Sequence, residues 1–335
     1  MSSKFVSTLL VAMALTATAC GQSPSNPGKP DVTLANLNLV HGIFCPPESD
    51  NCRLPDRVDL MMEFVRASGC PDVITLQEIW RPSLELIEPA ATEVCPFPYE
   101  TVQGERLNQV DDETVLSRYP LEKTEQLDLF GDFRRVLLTR ITHPSGPLDV
   151  YSTHLASSAD AGNSACVENC PQECRDAGVD TVRDCQAVQL VDFVRRTHDV
   201  SNAALVTGDM NARPGSFVYE QFVGQGWLDT YLEAGNPECN PDTGIGCTSG
   251  REDELLTDLE SPELEVRVRI DFIFLVPATA GSSCQPELLP ANDLGPGTQL
   301  WTEVPNPFVP NCGPLPDAIC WPSDHTGVQV AYRCS

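Results

Sequence analysis

The chain has 335 residues, of which 41% are hydrophobic, so it can bury the core of one large or two small domains and is not disordered throughout. Its formal net charge is −27, with 48 acidic residues against 21 Lys and Arg. Such acidity opposes non-specific binding to polyanions such as DNA. It does not exclude a nucleic-acid enzyme with a local arginine cluster, and Arg134 with Arg135 is one such pair.

The N-terminal segment has the order of a secretory signal peptide. Lys4 is followed by an apolar run from Phe5 to about Ala19, with small residues before Cys20. The stretch "ATAC" resembles a bacterial lipobox, in which the cysteine carries lipid after cleavage. We therefore expect removal of residues 1–19, lipidation of Cys20 and a flexible tether over 20–30 that holds an exported protein at a membrane. Ordinary cleavage after Ala19 is the alternative, and no other apolar run is long enough to span a bilayer.

The cysteine count supports export. Of 15 cysteines, fourteen remain when Cys20 is set aside, and an even number in an exported chain indicates disulfides. The segment 159–185 holds four of them. Zinc binding there is the alternative, but the three-residue spacers differ from the usual two-residue knuckle and the segment has no histidine. Other cysteines form close pairs around loops, while the pairing itself cannot be read from the sequence: Cys45 and Cys52, Cys239 and Cys247, Cys312 and Cys320.

Taken in chain order, residues 31–42 alternate apolar with small or polar side chains and predict a strand that ends in a turn. Residues 55–69 begin with Pro-Asp, carry one apolar face and end at a glycine, which predicts a helix. Residues 72–79 predict a short, nearly all-apolar strand, and 83–93 predict a second helix. The succession of strand, helix and apolar strand indicates a parallel pair covered by a helix.

The rest of the chain is rich in predicted strands separated by Pro, Gly and Asp turns. We find no internal repeat and no domain-sized linker, so residues 31–335 are expected to form one domain. It includes a Cys-rich insertion at 159–185 and long loops at 233–256 and 277–322. The predicted strands are 98–103, 112–121, 134–142, 147–157, 204–207, 264–276 and 323–334, and the predicted helices are 181–197 and 217–223.

Unusual polar residues lie within or at the ends of these apolar strands, where an open sheet assembles its sites. Singly, each has a local explanation as a cap, an Asx turn or an ion pair. Together they need a shared counter-charge, because burying several unpaired carboxylates costs several kcal/mol each. A bound divalent metal would supply it. The set is Asn36, Asn38, Glu78, His154, Asp209, Asn211, Asp271, Asp324 and His325.

The donor types indicate which metal and which chemistry. Amide and carboxylate oxygens suit Mg²⁺, Mn²⁺ or Ca²⁺, whereas zinc sites use more His or Cys. Two histidines are then left for proton transfer. Hydrolysis of a phosphate ester needs a base for the water, donors for the developing oxyanion charge and a metal that bridges phosphate oxygens.

Six ordered motifs carry a family resemblance that extends from about residue 33 to residue 330: "LNLVHG", "ITLQE", "YSTHLAS", "VTGDMNARPGS", "RIDFIFL" and "SDHTGVQV". They resemble the endonuclease/exonuclease/phosphatase superfamily, which includes DNase I-like nucleases, abasic-site endonucleases, sphingomyelinases and inositol-polyphosphate phosphatases. The resemblance implies an α+β fold, a four-layer α/β/β/α sandwich of two packed mixed β-sheets flanked by helices, with the site at one edge. We expect a monomer.

Carried over residue by residue, the resemblance implies a Mg²⁺ (or Mn²⁺/Ca²⁺) site. Glu78 is the main ligand, with Asn38 and Asp324 nearby. Asn38 is preferred to Asn36 because it stands directly before the turn, as in the family's strand-Asn-turn motif. Arg135, by its place in a mid-chain strand, is a further candidate for phosphate contact.

The same resemblance assigns the remaining polar residues to catalysis. His154 donates to the phosphate in the transition state, and Asp209 with Asn211 orients the water and a phosphate oxygen. His325 is a general base or acid, and Asp271 accepts its other N–H to set the tautomer. Within the family the base role has been given to either the His or the Asp of these motifs.

The motifs are shared by enzymes that act on DNA, lipids and soluble phosphates, so they do not choose the substrate. Our first expectation is a phosphodiesterase that hydrolyses nucleic acid. The alternatives are phospholipase C or sphingomyelinase-like cleavage of a phospholipid and a phosphatase on a soluble ester. The aromatic loop 300–310, with Trp301 and Phe308, would suit a membrane, although packing near Cys312 and Cys320 explains it more simply. A non-catalytic binding module would lack a catalytic His or Asp, and none is missing.

Overall fold

The computed structural model describes residues 30–40, 53–105, 112–131, 133–159, 161–167, 169–251, 259, 266–279, 282, 284–291, 297–303 and 319–335. The predicted signal peptide, Cys20 and the tether up to residue 29 lie outside this part of the chain, as do Cys45, Cys52, Phe308 and Cys312. Within the described ranges no helix is long and apolar enough to cross a membrane.

The described part of the chain contains thirteen strands and six α-helices. The strands are β1 (Val32–Asn38), β2 (Val73–Ile79), β3 (Glu100–Gln103), β4 (Asp112–Ser117), β5 (Leu121–Asp128), β6 (Arg135–Ile141), β7 (Leu148–His154), β8 (Ala203–Asp209), β9 (Leu228–Asp229), β10 (Asp271–Val276), β11 (Pro286–Leu288), β12 (Gln299–Leu300) and β13 (Val328–Cys334). The helices are α1 (Leu54–Ala67), α2 (Arg81–Val94), α3 (Gln172–Ala177), α4 (Val182–Thr197), α5 (Phe217–Val223) and α6 (Thr230–Glu233).

The strands form two sheets of similar design. The first has the order β11-β13-β1-β2-β4-β3, with β12 also paired to β13, and the second has the order β5-β6-β7-β8-β10-β9. Each contains one parallel pair, β1 with β2 and β7 with β8, among antiparallel neighbours. The predicted parallel pair that follows the first strand and helix is therefore confirmed.

Three apolar clusters hold four layers together. One lies between the sheets, where residues such as Leu34 and Val150 are fully buried. A second packs α1 and α2 on the outer face of the first sheet, and a third packs α4 and α5 on the second. β1, β7 and β8 are buried throughout and β2 is buried except at Glu78, because these strands are covered on both faces. The four-layer α/β/β/α sandwich is confirmed.

Some predicted boundaries were wrong. The strand predicted for 112–121 ends at Ser117, and a separate strand, β5, follows Pro120. Its alternately half-buried and exposed side chains are mostly polar, so the sequence pattern did not reveal this edge strand. β10 begins at Asp271 rather than at 264, because Val268 already pairs with Ser249 of the preceding loop. The Cys-rich insertion also contains α3, which the sequence pattern did not indicate.

The described cysteines form disulfides. The insertion contains Cys166–Cys170 and Cys174–Cys185, so its cysteines are bonded to one another and the zinc alternative has no support. Another disulfide, Cys239–Cys247, closes the loop predicted around that pair. The remaining described pairings are Cys70–Cys95 and Cys284–Cys334.

A ladder of polar side chains crosses the core between the sheets. Asn36 Oδ1 accepts from Thr75 Oγ1 and Gln77 Nε2, both at 2.9 Å. Gln77 Nε2 then lies 3.1 Å from Ser152 Oγ, and Thr207 Oγ1 lies 3.0 Å from Thr75 Oγ1. Asn36 is therefore a fully buried core residue, and the ladder aligns the two sheets below the edge where β1, β2, β7 and β8 end.

Candidate active site

Four of the predicted site residues meet where the two parallel pairs end. Asn38 ends β1, while His154 and Asp209 are register partners that end β7 and β8. The Asn38 amide nitrogen lies 2.9 Å from Glu78 Oε1 and 3.1 Å from Asp209 Oδ2. The Asn38 side-chain amide thus bonds to one side-chain carboxylate from each sheet. The C-terminal ends of the parallel strands in both sheets face the same site.

Glu78 reaches the site through a local irregularity of β2. Its φ is 58°, and the pairing of β2 with β4 shifts between Leu76 and Ile79. A left-handed conformation costs a non-glycine residue roughly 1–2 kcal/mol. The bulge re-aims the Glu78 carboxylate toward Asn38, and its side chain remains 22% exposed.

Gly208 allows β7 and β8 to approach closely just before their ends. Its φ is 144°, and a Cβ at this position would lie 1.8 Å from the carbonyl oxygen of Thr153. Any side chain would therefore push the strands apart. The glycine in "GDMN" sets the spacing between His154 and Asp209.

Asp209 and Asn211, two residues apart, face the same site. The Asn211 backbone N–H donates to Asp209 Oδ1 at 2.8 Å, which closes an Asx turn, and Asn211 has φ 47°. Its side-chain amide nitrogen donates to Leu155 O at 2.9 Å and lies 3.0 Å from His154 Nε2. The turn therefore places an amide beside the imidazole that the family resemblance assigns to phosphate binding.

His154 is held by an arginine. Arg134 Nη1 lies 2.5 Å from His154 Nδ1, and guanidinium can only donate, so the neutral imidazole accepts there and carries its proton on Nε2. The Asn211 amide nitrogen, 3.0 Å from Nε2, is then a close contact between two donors and not a hydrogen bond. His154 Nε2 lies 3.4 Å from Asp209 Oδ2 and 3.9 Å from Glu78 Oε1. The Arg134 contact sets the tautomer that can donate to a ligand oxygen between the carboxylates.

His325 has an acidic setting. Its Nδ1 lies 2.8 Å from Asp271 Oδ2, and its Nε2 lies 3.8 Å from Asp209 Oδ2 and 3.7 Å from Asp324 Oδ2. Burial alone lowers the pKa of His325, but the three neighbouring carboxylates outweigh burial and hold that pKa well above its usual value. A carboxylate on Nδ1 also fixes the ring so that Nε2 faces the site.

The segment that carries Asp324 is tied to the end of β1. Ser323 Oγ lies 2.6 Å from Asn38 O and 3.0 Å from Asp324 Oδ1. The buried guanidinium of Arg57 joins the same two segments, since it donates to Leu39 O, Val40 O and Pro322 O. Burial lowers the pKa of Arg57 to about 10, although the carboxylates of Asp324 and Glu78 act in the opposite direction.

The donor set fits a hard divalent cation. At one side of the site, Glu78 and Asp324 contribute carboxylate oxygens, which are the ligands that Mg²⁺ binds. The Asn38 amide nitrogen faces Glu78 and Asp209. The Asn38 Oδ1 accepts from Val40 N at 3.0 Å and keeps one lone pair for a ligand. On the other side, single ligand atoms of Asp209, Asp271 and His325 lie within 4.8 Å of one another. There the imidazole bonds Asp271, so we interpret this second group as the proton-transfer side of the site.

The structure brings Arg134 of the arginine pair to His154, whereas the sequence analysis named Arg135 as a candidate for phosphate contact. Arg134, not Arg135, contacts His154, while the Arg135 guanidinium pairs with Asp128 at 3.3 Å and donates to Gln126 at 3.2 Å. Neighbouring residues at the start of a strand point to opposite faces, and only the register between β6 and β7 determines which of the two arginines faces His154.

A loop that sequence analysis described as an insertion supports the His325 side. Thr248 Oγ1 accepts from the backbone N–H groups of Ile270 and Asp271, both at 3.1 Å, and Ser249 Oγ lies 3.4 Å from His325 Nε2. The Cys239–Cys247 disulfide closes this loop directly before Thr248. No sequence motif marked these residues, because their role depends on contacts with distant strands.

The aromatic loop before the last strand packs inward where the structure describes it. Trp301 is 2% exposed and stacks on Phe64 of α1, with ring centroids 5.6 Å apart. A Cβ on Gly327 would meet the same indole ring at 2.4 Å. The packing interpretation therefore holds for Trp301, and this residue does not form a membrane-facing hairpin.

Structures of similar architecture are known. An endonuclease/exonuclease/phosphatase of Bacteroides vulgatus aligns with a TM-score of 0.59 at 15% identity, over 91% of this chain and 99% of its own. A mannosyl-6-phosphatase of Bacteroides thetaiotaomicron gives 0.59 at 16%, over 90% and 99%. Truncated TDP2 of Caenorhabditis elegans gives 0.57 at 17%, over 90% and 97%. At these identities the likeness establishes the fold.

Sequence comparisons agree with the fold. A protein of Drosophila melanogaster described as a putative neutral sphingomyelinase is 26% identical over 206 residues, which is 56% of this chain and 42% of that protein. The chain thus spans less than half the length of this relative. The family model for the endonuclease/exonuclease/phosphatase family matches residues 35–325, which contain every site residue described above. The chain therefore belongs to the endonuclease/exonuclease/phosphatase family, whose members are metal-dependent phosphoester hydrolases.

Proposed function

We propose that this protein is an exported, Mg²⁺-dependent phosphodiesterase that cleaves the head group of a phospholipid. One observation carries the phosphoesterase part: two imidazoles, each with a partner on Nδ1, direct Nε2 to the same carboxylate oxygen. His154 is held by Arg134 and His325 by Asp271, and their Nε2 atoms lie 3.4 Å and 3.8 Å from Asp209 Oδ2.

This geometry suits an attacking water beside Asp209 and a phosphoryl group between the imidazoles. Asp209 Oδ2 accepts a proton from the water while the water oxygen bonds to phosphorus. The ester P–O bond breaks, and the leaving oxygen takes a proton from solvent. His154 Nε2–H and the His325 imidazolium donate to the phosphoryl oxygens, where negative charge develops. The raised pKa of His325 favours this donor role.

Asn38, Glu78 and Asp324 would hold the metal. When bound, Mg²⁺ neutralises phosphate charge and polarises the phosphoryl group. Asn38 also fixes the distance between the metal-binding and proton-accepting carboxylates, because its amide nitrogen bonds Glu78 and Asp209 together. The Asn211 amide, beside His154 Nε2, is placed to orient a phosphate oxygen.

Two observations support a phospholipid substrate. The curated relative found by sequence is described as a putative neutral sphingomyelinase. The net charge of −27 opposes the approach of a nucleic acid, whereas a zwitterionic head group carries no net charge to repel. Of the two adjacent arginines that favoured nucleic acid, Arg135 is engaged with Asp128 and Gln126.

A substrate panel tests the proposal. The purified protein is incubated with bis(p-nitrophenyl) phosphate, p-nitrophenyl phosphate, sphingomyelin vesicles, phosphatidylcholine vesicles and plasmid DNA, each with Mg²⁺ and with EDTA. We expect release of phosphocholine from the vesicles, hydrolysis of the diester over the monoester, and loss of both with EDTA and in His325→Ala.

The outcomes separate the alternatives. If the protein nicks the plasmid and leaves the vesicle lipids uncleaved, its substrate is a nucleic acid and not a phospholipid. If it prefers the monoester, it is a phosphatase. Hydrolysis that survives both EDTA and His325→Ala would refute the proposed site.

We also propose that the protein is a monomer held at a membrane by lipid on Cys20. The proposal rests on the apolar run before "ATAC" and on the disulfides of the described chain. Mass spectrometry of the mature N-terminus, fractionation of Cys20→Ser and light scattering of the purified protein test it. A mature N-terminus at another residue, without lipid, would refute the proposed lipid anchor at Cys20.

A further inference from the structure

Arg183, in the first turn of α4, reaches the ends of two catalytic strands. Its Nε lies 2.6 Å from Ala156 O, and its Nη1 lies 2.5 Å from Asn211 O. Ala156 follows His154 by two residues at the end of β7. Asn211 follows Asp209 by two residues at the end of β8, which is the parallel neighbour of β7. One planar guanidinium therefore joins the backbones that leave two adjacent strand ends.

The joined segments carry groups whose direction depends on backbone conformation. Asn211 has φ 47°, a left-handed conformation that asparagine tolerates better than most residues and that the Asx turn with Asp209 supports. Its side-chain amide reaches His154 Nε2 from this conformation. The last backbone hydrogen bond between these strand ends is from Leu155 N to Asp209 O, at 2.9 Å. Beyond this bond, the two segments are joined by the Asn211 side chain, which donates to Leu155 O, and by Arg183, which donates to Ala156 O and Asn211 O.

Arg183 lies near the end of the Cys-rich insertion 159–185, and earlier residues of the insertion contact it. Arg183 Nη2 lies 2.9 Å from Asn163 Oδ1, and the Arg183 backbone N–H donates to Gly162 O at 3.0 Å. A Cβ on Gly162 would lie 2.2 Å from Ala156 O and 2.8 Å from Arg183 Nη2, so the insertion approaches this contact as closely as a glycine allows. The Cys174–Cys185 disulfide bonds the insertion to α4 two residues after Arg183.

The next turn of α4 supports the same segments. Gln186 Oε1 accepts from Ala156 N, and Gln186 Nε2 donates to Phe130 O, both at 2.8 Å. Phe130 belongs to the loop that leads to Arg134, the partner of His154. The start of α4 therefore contacts three segments of the site at their backbones, and it touches neither Asn38 nor Glu78 in the described contacts.

We propose that Arg183 is a positioning residue for phosphoester hydrolysis, which holds His154 and Asn211 in their working geometry, and that the disulfide-closed insertion keeps it in place. The proposal rests on the proposed function for its catalytic readout, so a second readout that needs no activity is included below.

The test compares Arg183→Ala and Arg183→Lys with Arg196→Ala, an exposed arginine near the end of the same helix. Bis(p-nitrophenyl) phosphate at saturating Mg²⁺ is the substrate. We expect kcat of Arg183→Ala to fall about 10- to 100-fold with KM changed by less than about threefold, because misplaced groups slow the chemical step. The Mg²⁺ activation constant stays unchanged, since Arg183 contacts the other side of the site. Arg183→Lys is also impaired, because a lysine ammonium lacks the planar guanidinium that bonds Ala156 O and Asn211 O at the same time.

Two further measurements distinguish positioning from general stability. Millimolar guanidinium is expected to restore part of the kcat of Arg183→Ala and none of that of His325→Ala. Hydrogen exchange is expected to speed up at residues 155–157 and 210–212 in Arg183→Ala, with the rest of the second sheet unchanged.

The exchange experiment stands even if the wild-type protein hydrolyses none of the substrates, in which case the proposed function fails by itself. Unchanged exchange in both segments would overturn the positioning role, as would wild-type kcat in Arg183→Ala. A loss of activity that accompanies global unfolding and is not rescued by guanidinium would overturn it too.

Discussion

Two buried clusters of charge lie at opposite ends of β7 and differ in how their carboxylates are neutralised. Asp149, near the start of the strand, is fully buried and accepts from Arg140 Nε at 2.6 Å and Arg140 Nη2 at 2.9 Å. His198 Nδ1, Asp199 N and Asn202 Nδ2 complete its shell at 3.2–3.4 Å. This single carboxylate has a bidentate cation and three further polar partners.

The cluster at the other end of β7 has more carboxylates and looser contacts. Asp209 Oδ2 lies 3.4 Å from His154 Nε2 and 3.8 Å from His325 Nε2, and Asp271 and Asp324 face the same imidazole. A charge enclosed by fixed donors stabilises the fold, whereas carboxylates gathered around one imidazole leave room for a cation and a ligand. The first cluster is expected to matter for stability and the second for activity.

The largest expected effect comes from His325→Ala. Loss of the imidazole removes a donor to the developing phosphoryl charge, which is worth about 10²- to 10³-fold in kcat. Stability should fall as well, because the buried Asp271 carboxylate loses its partner at 2.8 Å, so the loss of kcat is the effect that distinguishes this cluster. His198→Ala is the matched control in the other cluster, and it should lower the melting temperature while kcat stays near that of the wild type. Steady-state kinetics and thermal unfolding of both variants check this contrast. An equal loss of kcat in His325→Ala and His198→Ala would contradict it.

Asp149→Asn should reduce the free energy of unfolding at pH 7 by about 3–5 kcal/mol, because Arg140 is left beside an uncharged amide. Burial alone raises the pKa of Asp149, but hydrogen bonds from His198 and Arg140 outweigh it and lower the pKa to about 2. The wild type therefore keeps this contribution above about pH 4 and loses it as the pH falls through about 2. Urea unfolding between pH 2 and 7 measures the difference, which should shrink at the acidic end; a constant difference would contradict the assignment.

Glu78→Gln should separate the two clusters by their response to metal. In EDTA we expect this variant to be at least as stable as the wild type, because one of several like charges is removed. In Mg²⁺ at about a hundred times its Kd, the wild type should gain about 2.7 kcal/mol, and the variant much less. Asp149→Asn is the control, since it should gain the full increment from a lower baseline. Thermal unfolding in Mg²⁺ and in EDTA measures all three proteins, and an equal increment in Glu78→Gln would remove Glu78 from the metal site.

The smallest expected effect concerns an ion pair that neither cluster contains. Asp192 and Arg196 pair on the exposed face of α4 at 3.0 Å, with more than half of each side chain accessible. Exposed pairs contribute about 0.3–0.5 kcal/mol on a helix, so Asp192→Asn should change urea unfolding by no more than this and leave kcat unaffected. A loss as large as that of Asp149→Asn would show that burial does not explain the contrast.

Much of the fold could be predicted from local patterns. β2 stood out as a nearly all-apolar run and β1 as an alternating one, while α1 showed an apolar face that ends at a glycine and α4 showed apolar residues available for burial. The mostly polar edge strand β5 could not be found, because its partner β6 determines its conformation. The polar residues at strand ends were visible for the same local reason: carboxylates and imidazoles are unexpected in buried strands.

The sequence by itself determined which residues bear the chemistry and in what order, since the six motifs combine strand patterns with polar ends. Only the tertiary structure determined which of them touch. Asn38 meets Asp209 across 171 positions of sequence, Arg134 rather than Arg135 reaches His154, and Trp301 packs against Phe64. Arg183 has no motif, because its role is to bond the carbonyl oxygens of two distant segments. The sequence specifies the chemical type of each side chain, whereas the direction of each side chain depends on the packing of the two sheets and the loops around them.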